Sequence, residues 1–237
     1  CTCVGQDLQL RGAHYTEVFD GHAGNNYTSE AILATGAIDA VLSEFNCTLP
    51  GIEPICDELK IKQICLDDVA KKANAELIKM TDSVLRSQKI SASLTTTAQK
   101  KTALQKLFNY SKKYGYMRMK GFDGKPLQFT KGKSQMFAYL TMGMEKGNCY
   151  GVASAFAVQA KRATGLPVRV CWGKSNVFNK NKWQPHGWTE IKIGNTWYTF
   201  DANAAGNKSR KDVKYYMQKS SSMKKYYKTE GREDIVL

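Results

Sequence analysis

Apolar residues recur with helical spacing in several stretches of the chain. Positions three and four apart predict helices over residues 29–45, 66–86, 98–113, 136–144 and 149–164. Thr28 or Ser29 is the predicted N-cap of the first helix and Asp67 that of the second, because short polar side chains satisfy free backbone N–H groups there. Gly165 is the predicted C-cap of the last helix, since glycine readily adopts the left-handed conformation that ends helices.

The pattern changes after the last of these helices. Residues 166–172, 187–193 and 196–200 are rich in alternating, β-branched and aromatic residues, which predicts three strands. Gly194-Asn195 separates the last two and is typical of a two-residue hairpin turn. Such a turn places Tyr198 opposite Ile191 and Asp201 opposite Trp188. The chain is therefore expected to run from helices into antiparallel strands.

The composition is that of a folded protein. The chain has 237 residues, 42% of them hydrophobic and 11% aromatic, which is enough to bury a substantial core. It contains no run of about 18 apolar residues, so no transmembrane segment is predicted. It starts at Cys1 without a basic stretch followed by an apolar one, and we expect that any targeting segment is absent from this sequence.

The formal net charge is +14, and lysine is concentrated at residues 99–120 and 207–228. A positive surface suggests polyanionic surroundings such as an anionic cell-wall or surface polymer. The alternative is a solvated lysine-rich face that confers only solubility. No nucleic-acid-binding motif with placed aromatic residues and glycines occurs, so nucleic acid is not an expected partner.

The cysteine count is odd, as one free catalytic thiol plus an even structural set would give. The seven are Cys1, Cys3, Cys47, Cys56, Cys65, Cys149 and Cys171. None forms a CxxC pair, so no metal site and no cofactor are predicted. Disulfides among the first five would imply an oxidising compartment, but the sequence leaves their pairing open.

Cys149 follows Gly147-Asn148 and opens the predicted helix over 149–164. A cysteine at a helix N-terminus is stabilised as the thiolate, the reactive form, by the positive end of the helix dipole. The free backbone N–H groups of the same turn can bind a developing oxyanion. The alternative is a small buried side chain at a helix start.

The predicted hairpin brings two further residues together. His186 lies two residues before Trp188 and therefore on the same sheet face as Asp201, on the diagonal. Diagonal neighbours lie roughly 7–8 Å apart, within reach of an imidazole and a carboxylate. Asp201 can then orient His186 while the other ring nitrogen faces Cys149, as in acyl-transfer sites. A histidine at a strand start and an aspartate in a turn are the plainer alternatives.

The segments GNCYGVASAFAVQAKRATGLPVRVCWGKSN and HGWTEIKIGNTWYTFDAN resemble the core of the transglutaminase-like superfamily. The resemblance implies a papain-like α+β fold, in which the helix bearing Cys149 packs on an antiparallel sheet. It also implies thiol attack on a peptide or side-chain amide, with hydrolysis slightly favoured over cross-linking to an amine. Trp188 and Tyr150 are the candidate substrate-binding residues, although Trp188 also suits a core position. The calcium sites of the animal enzymes are not visible.

The resemblance divides the chain into three parts. Residues 1–64 form an N-terminal extension with turns and one helix, residues 65–205 the catalytic core, and residues 206–237 a basic segment packing on or trailing the core. Family habit, the cysteine count and the start of the chain favour a secreted or cell-surface bacterial protein. A protein or peptide is the expected substrate.

A second, short resemblance points elsewhere. Residues 18–24, VFDGHAG, are similar to the metal-binding DGH segment of metal-dependent serine/threonine protein phosphatases. The other acidic segments of that family are not recognisable, so we interpret these residues as a glycine-rich turn. The remaining alternative is a non-catalytic surface or polyanion-binding module that keeps the fold.

Overall fold

The computed structural model describes the backbone of residues 40–43, 57–60, 62–91, 93–120 and 126–237. Side chains are described for residues 57–60, 73–91, 93–120 and 126–237. The chain divides into two compact units, Cys1–Ala73 and Asn74–Leu237. The phosphatase-like segment and the first four cysteines lie outside the described residues.

Strands β1 (Ala40–Ser43) and β2 (Lys62–Cys65) lie in the first unit and pair in parallel. The helix predicted over 29–45 is therefore wrong at these four residues, and the rest of it lies outside the described part. A short apolar run suits a helix and a parallel strand equally well. Residues 40–43 form a strand because they pair with a strand some twenty residues later. Local periodicity does not predict that pairing.

Six helices are described: α1 (Leu66–Ser87), α2 (Thr97–Ser111), α3 (Ser134–Met144), α4 (Cys149–Thr164), α5 (Ala202–Gly206) and α6 (Ser220–Met223). The first four confirm predicted helices to within two residues at each end. Gly165 caps α4 in the left-handed region, with a φ of 64°. Among the described helices, none is both long and apolar enough to cross a bilayer.

A five-stranded antiparallel sheet forms one layer of the second unit. Its strands, in spatial order, are β8 (Gln218–Lys219), β7 (Thr196–Phe200), β6 (Gln184–Ile193), β5 (Val168–Ser175) and β9 (Tyr227–Asp234). Two short strands, β3 (Gly115–Tyr116) and β4 (Lys146–Gly147), pair separately and in parallel. Ile191 lies opposite Tyr198 in the β6–β7 hairpin, which confirms the predicted register.

The basic C-terminal segment completes this sheet. Strand β9 pairs with β5 along one edge, and its side chains alternate between exposed positions and positions that are buried or half-buried. Its sequence, YKTEGRED, is highly charged, and charged residues are typical of edge strands because they discourage pairing with other chains. The segment was not predicted as a strand because this charge masks the alternation.

Helix α4 lies at the centre of the core, between the other helices and the sheet. The ring of Phe156 contacts Phe108 of α2 and Phe200 of β7, with centroids 5.8 and 5.5 Å apart. The hydroxyl of Thr189 on β6 donates a hydrogen bond to the carbonyl of Ala153 at 2.8 Å. These contacts confirm the predicted α+β arrangement and fix the start of α4 against β6.

Candidate active site

Asn148 and Cys149 begin α4. The side-chain oxygen of Asn148 accepts a hydrogen bond from the N–H of Gly151 at 2.9 Å, which caps the helix. Cys149 is the first helical residue, and its side chain is half-buried. The first N–H groups of a helix have no partner within it. The thiol therefore lies in the partial positive charge of the helix start.

His186 and Asp201 meet through the β6–β7 hairpin. The Nε2–H of His186 donates to Oδ2 of Asp201 over 2.7 Å, and both side chains are 1% exposed. The other carboxylate oxygen accepts from the N–H of Ala204 at 2.8 Å, so Asp201 also caps α5. Since Nε2 is engaged, Nδ1 is the ring nitrogen left to face the Cys149 thiol.

The environment of His186 favours its protonated form. Complete burial alone would lower the pKa of the imidazole, but the charges of Asp201 and Cys149 and the hydrogen bond to Asp201 outweigh burial. Together they raise the pKa of His186 to about 10. The arrangement can therefore hold an imidazolium beside the Asp201 carboxylate at neutral pH.

Tyr227 is a third hydrogen-bond partner of Asp201, and the sequence analysis missed it. Its hydroxyl donates to Oδ2 of Asp201 at 2.8 Å, and its ring lies 6.3 Å from that of His186 at an angle of 25°. Burial, then the Asp201 charge, raises the pKa of Tyr227 well above its usual value, so the phenol stays a donor. No local signal marks this tyrosine within the lysine-rich C-terminal segment.

The two candidate substrate-binding residues differ in position. Trp188 is 1% exposed, and its ring packs against those of His186 and Tyr227, at centroid distances of 6.5 and 4.8 Å. It therefore offers a substrate no free surface in this structure. Tyr150 is half-buried and stacks on Phe129, with centroids 4.9 Å apart. Its role as a substrate contact stays a prediction.

Gly187 allows β6 to approach the start of α4, which the sequence analysis also missed. A Cβ atom at this position would lie 2.6 Å from Cδ1 of Tyr150 and 3.1 Å from its Cα. Any side chain here would push the strand and the helix apart. A glycine directly after the histidine is the sequence signal that could have indicated such an approach.

Cys149 and Cys171 are the free cysteines whose side chains the structure describes. Cys171 is fully buried on β5, opposite Trp188. Burial, then the charge of Glu190, raises the pKa of the Cys171 thiol well above its usual value. Within the described ranges, no group of three or more His, Cys, Asp or Glu side chains is arranged to hold a metal ion.

Residues 86–202 match the profile of the transglutaminase-like superfamily. Three solved structures are similar to the chain. A protein of Cytophaga hutchinsonii described as a cysteine protease is 17% identical (53% of this chain, 37% of that chain, TM-score 0.35). Legionella pneumophila LapG is 13% identical (67% and 78%, TM-score 0.38), and a TGase is 17% identical (70% and 40%, TM-score 0.34).

Residues 1–123 match a different profile, that of the Prismane/CO dehydrogenase family, which the sequence analysis did not predict. The carbon monoxide dehydrogenases of Methanopyrus kandleri and Methanocaldococcus jannaschii are 48% and 51% identical to the chain over 77 residues. Those residues make up 32% of this chain but only 12% of each relative. The two matched ranges share residues 86–123. Residues 86–202 are thus similar to the transglutaminase-like superfamily. The chain belongs to the Prismane/CO dehydrogenase family through residues 1–123, which are 123 of its 237.

Proposed function

We propose that the protein catalyses thiol-dependent acyl transfer from a peptide or side-chain amide. Cys149 is the nucleophile, His186 the general base and acid, and Asp201 the residue that orients the imidazole. The observation that carries this proposal is the 2.7 Å bond from His186 Nε2 to Asp201, which leaves Nδ1 for the thiol at the start of α4.

The reaction divides into two steps. The Cys149 thiolate attacks the amide carbon, and the C–N bond breaks as the His186 imidazolium gives its proton to the departing nitrogen. The resulting thioester is then attacked by water, whose proton returns to His186. Release of the carboxylic acid restores the thiolate and the imidazolium, so protons and bonds balance over the cycle.

The oxyanion formed in each step needs hydrogen-bond donors. Asn148 already accepts the N–H of Gly151. No hydrogen bond from the N–H of Cys149 or Tyr150 to a group outside α4 occurs among the described residues. We assign these two N–H groups to the oxyanion, because a helix N-terminus also contributes a favourable dipole there.

We favour water over an amine as the acyl acceptor. Water needs no binding site of its own, and the Cys149 side chain is partly exposed. Transfer to an amine, which would form an isopeptide bond, is the alternative within the same chemistry. No carbon monoxide chemistry is proposed, because the chain spans only 12% of the length of the dehydrogenases it matches.

A glutamine-containing peptide offered together with a fluorescent amine tests the proposal. Mass spectrometry would separate peptide cleavage, deamidation and amine incorporation. We expect cleavage or deamidation by the wild type and a loss of at least about a thousandfold in Cys149→Ala. Cys171→Ala, which removes a buried thiol, is the matched control and should retain activity. Equal turnover by wild type and Cys149→Ala would overturn the proposal, as would a complete lack of turnover across a diverse peptide library.

A further inference from the structure

Three half-buried aromatic rings, one of them from the residue after Cys149, pack against one another. Tyr150 stacks on Phe129, and Trp172 meets the edge of Phe129 with centroids 5.4 Å apart. The buried ring of Phe137 packs against Phe129, with centroids 5.0 Å apart. We call Phe129, Tyr150 and Trp172 the aromatic platform. Tyr150 directly follows the nucleophile, so the platform includes the second residue of α4.

A β-bulge places an acidic residue at the rim of the platform. In the β5–β9 ladder, Trp172 lies opposite Gly231, whereas the next residue, Gly173, lies opposite Thr229. Glu230 is therefore the extra residue of β9. A Cβ atom on Gly231 would lie 2.2 Å from the Trp172 ring, so β9 passes directly against the platform. Bulges of this kind redirect a side chain and are frequent beside active sites.

Glu230 carries a free charge at this position. Its side chain is exposed, and it takes part in no salt bridge within the described part of the chain. Burial, then the charges of Cys149 and Glu230, raises the pKa of Tyr150 to about 12. The Glu230 carboxylate is thus one of the charges that favour the neutral phenol of Tyr150, in a protein whose net charge is +14.

We propose that the aromatic platform and Glu230 form a subsite for a lysine or arginine side chain of the peptide substrate, next to the amide that Cys149 attacks. Aromatic faces attract cations, and a carboxylate at the rim adds a complementary charge. This inference rests on the proposed function, because it assigns a substrate feature to the same site.

Thiol-modifying reagents test the subsite without any substrate. We would measure, by peptide mapping, the modification rates of Cys149 with cationic 2-(trimethylammonium)ethyl methanethiosulfonate and anionic 2-sulfonatoethyl methanethiosulfonate. We expect Glu230→Gln to lower the ratio of cationic to anionic rates about three- to fivefold, as loss of one nearby exposed charge implies. Asp234→Asn, which removes an exposed charge farther along β9, is the matched control and should keep the ratio. Equal ratios in the two variants would overturn the proposal.

A pair of peptides tests the same subsite with substrate. The two peptides would differ only in arginine against citrulline, its uncharged isostere, beside the reactive amide. We expect the wild type to prefer arginine about tenfold in kcat/KM, and Glu230→Gln and Phe129→Leu to lose most of that preference. Equal turnover of both peptides by the wild type would overturn the subsite alone. If the wild type turned over neither peptide, the proposed function would be contradicted. The ratio of cationic to anionic modification rates would then still test whether Glu230 acts at the subsite.

Discussion

One oxygen of Asp201 receives two hydrogen bonds. Oδ2 accepts from Nε2 of His186 at 2.7 Å and from the hydroxyl of Tyr227 at 2.8 Å, in surroundings where all three side chains are buried. A buried carboxylate requires such donors, because leaving it unpaired costs several kcal/mol. The two hydrogen bonds have different effects. The bond from His186 brings the imidazole next to the Asp201 charge, which raises the pKa of His186, whereas the bond from Tyr227 holds the carboxylate in place.

Replacing Asp201 by asparagine tests the role of its charge. The amide keeps the size of the side chain but removes the negative charge that favours the imidazolium. We expect the pKa of His186, about 10 in the wild type, to fall by about 1–3 in Asp201→Asn. The chain has three histidines, so NMR titration of ¹³C-labelled histidine can follow this one, with His186→Gln identifying its signal. An unchanged titration would contradict this assignment.

The Tyr227→Phe variant tests how the positioning of the Asp201 carboxylate matters when its charge is retained. Loss of a hydrogen bond to a charged group should lower the free energy of unfolding by about 1.5–3 kcal/mol. We expect acylation of Cys149 to slow about tenfold while the pKa of His186 stays raised, because the carboxylate is retained. Urea denaturation, ester turnover and the same NMR titration would check this. A variant that matched the wild type in both stability and turnover would exclude a positioning role.

At the scale of elements, the contact between β6 and the start of α4 brings the thiol to the imidazole. It depends on Gly187, where a Cβ atom would meet the backbone and ring of Tyr150. Thr189, two residues along, bonds the carbonyl of Ala153 and fixes the same two elements. The positions of Cys149 and His186 therefore depend on the packing of a strand on a helix.

Gly187→Ala should separate these two elements. We expect ester turnover to fall by at least about a hundredfold, since small displacements of catalytic groups are costly, with a loss of stability of about 1–3 kcal/mol from overpacking. Gly143→Ala is the matched control, because its Cβ would lie 3.6 Å from Met80, an ordinary contact on a helix. Equal activity of the two variants would show that the close approach at Gly187 is not required.

The sequence predicted those elements whose signals are local. Helix α4 has its N-cap, buried run and glycine C-cap within eighteen consecutive residues, 148–165. The β6–β7 hairpin has a two-residue turn that fixes its register, and that register alone brings His186 beside Asp201. Both predictions were confirmed because helix ends and tight turns depend on a few neighbouring residues.

The features that were missed depend on pairing between distant residues. Strand β1 is defined by its parallel partner β2, and β9 by its place beside β5. Tyr227 and Glu230 reach the candidate site only because β9 returns to the sheet from the far end of the chain. Periodicity within a window of residues contains no information on such returns.

At the scale of the whole molecule, titration of one buried histidine affects stability. The folded pKa of His186, about 10, lies above the ordinary histidine value of about 6.5. The folded protein therefore binds more protons than the unfolded chain between these pH values. The stability contributed by His186 is fully present below about pH 6.5 and is lost as the pH rises through about 10.

We accordingly expect the free energy of unfolding to decrease over this pH range, with a steepest slope for this group of about 1.4 kcal/mol per pH unit. Urea denaturation at several pH values would measure it. In Asp201→Asn the decrease should be shallower and centred at lower pH. Parallel profiles for wild type and variant would contradict the raised pKa.

Acylation of the intact protein by a small active ester, followed by mass spectrometry and peptide mapping, tests the central claim most directly. A single acyl group should form on Cys149 in the wild type and be released by water, which is the two-step cycle proposed for the site. Acylation should be at least about a hundredfold slower in His186→Ala and absent at this position in Cys149→Ala. Acylation of Cys149 at the same rate in wild type and His186→Ala would contradict the account.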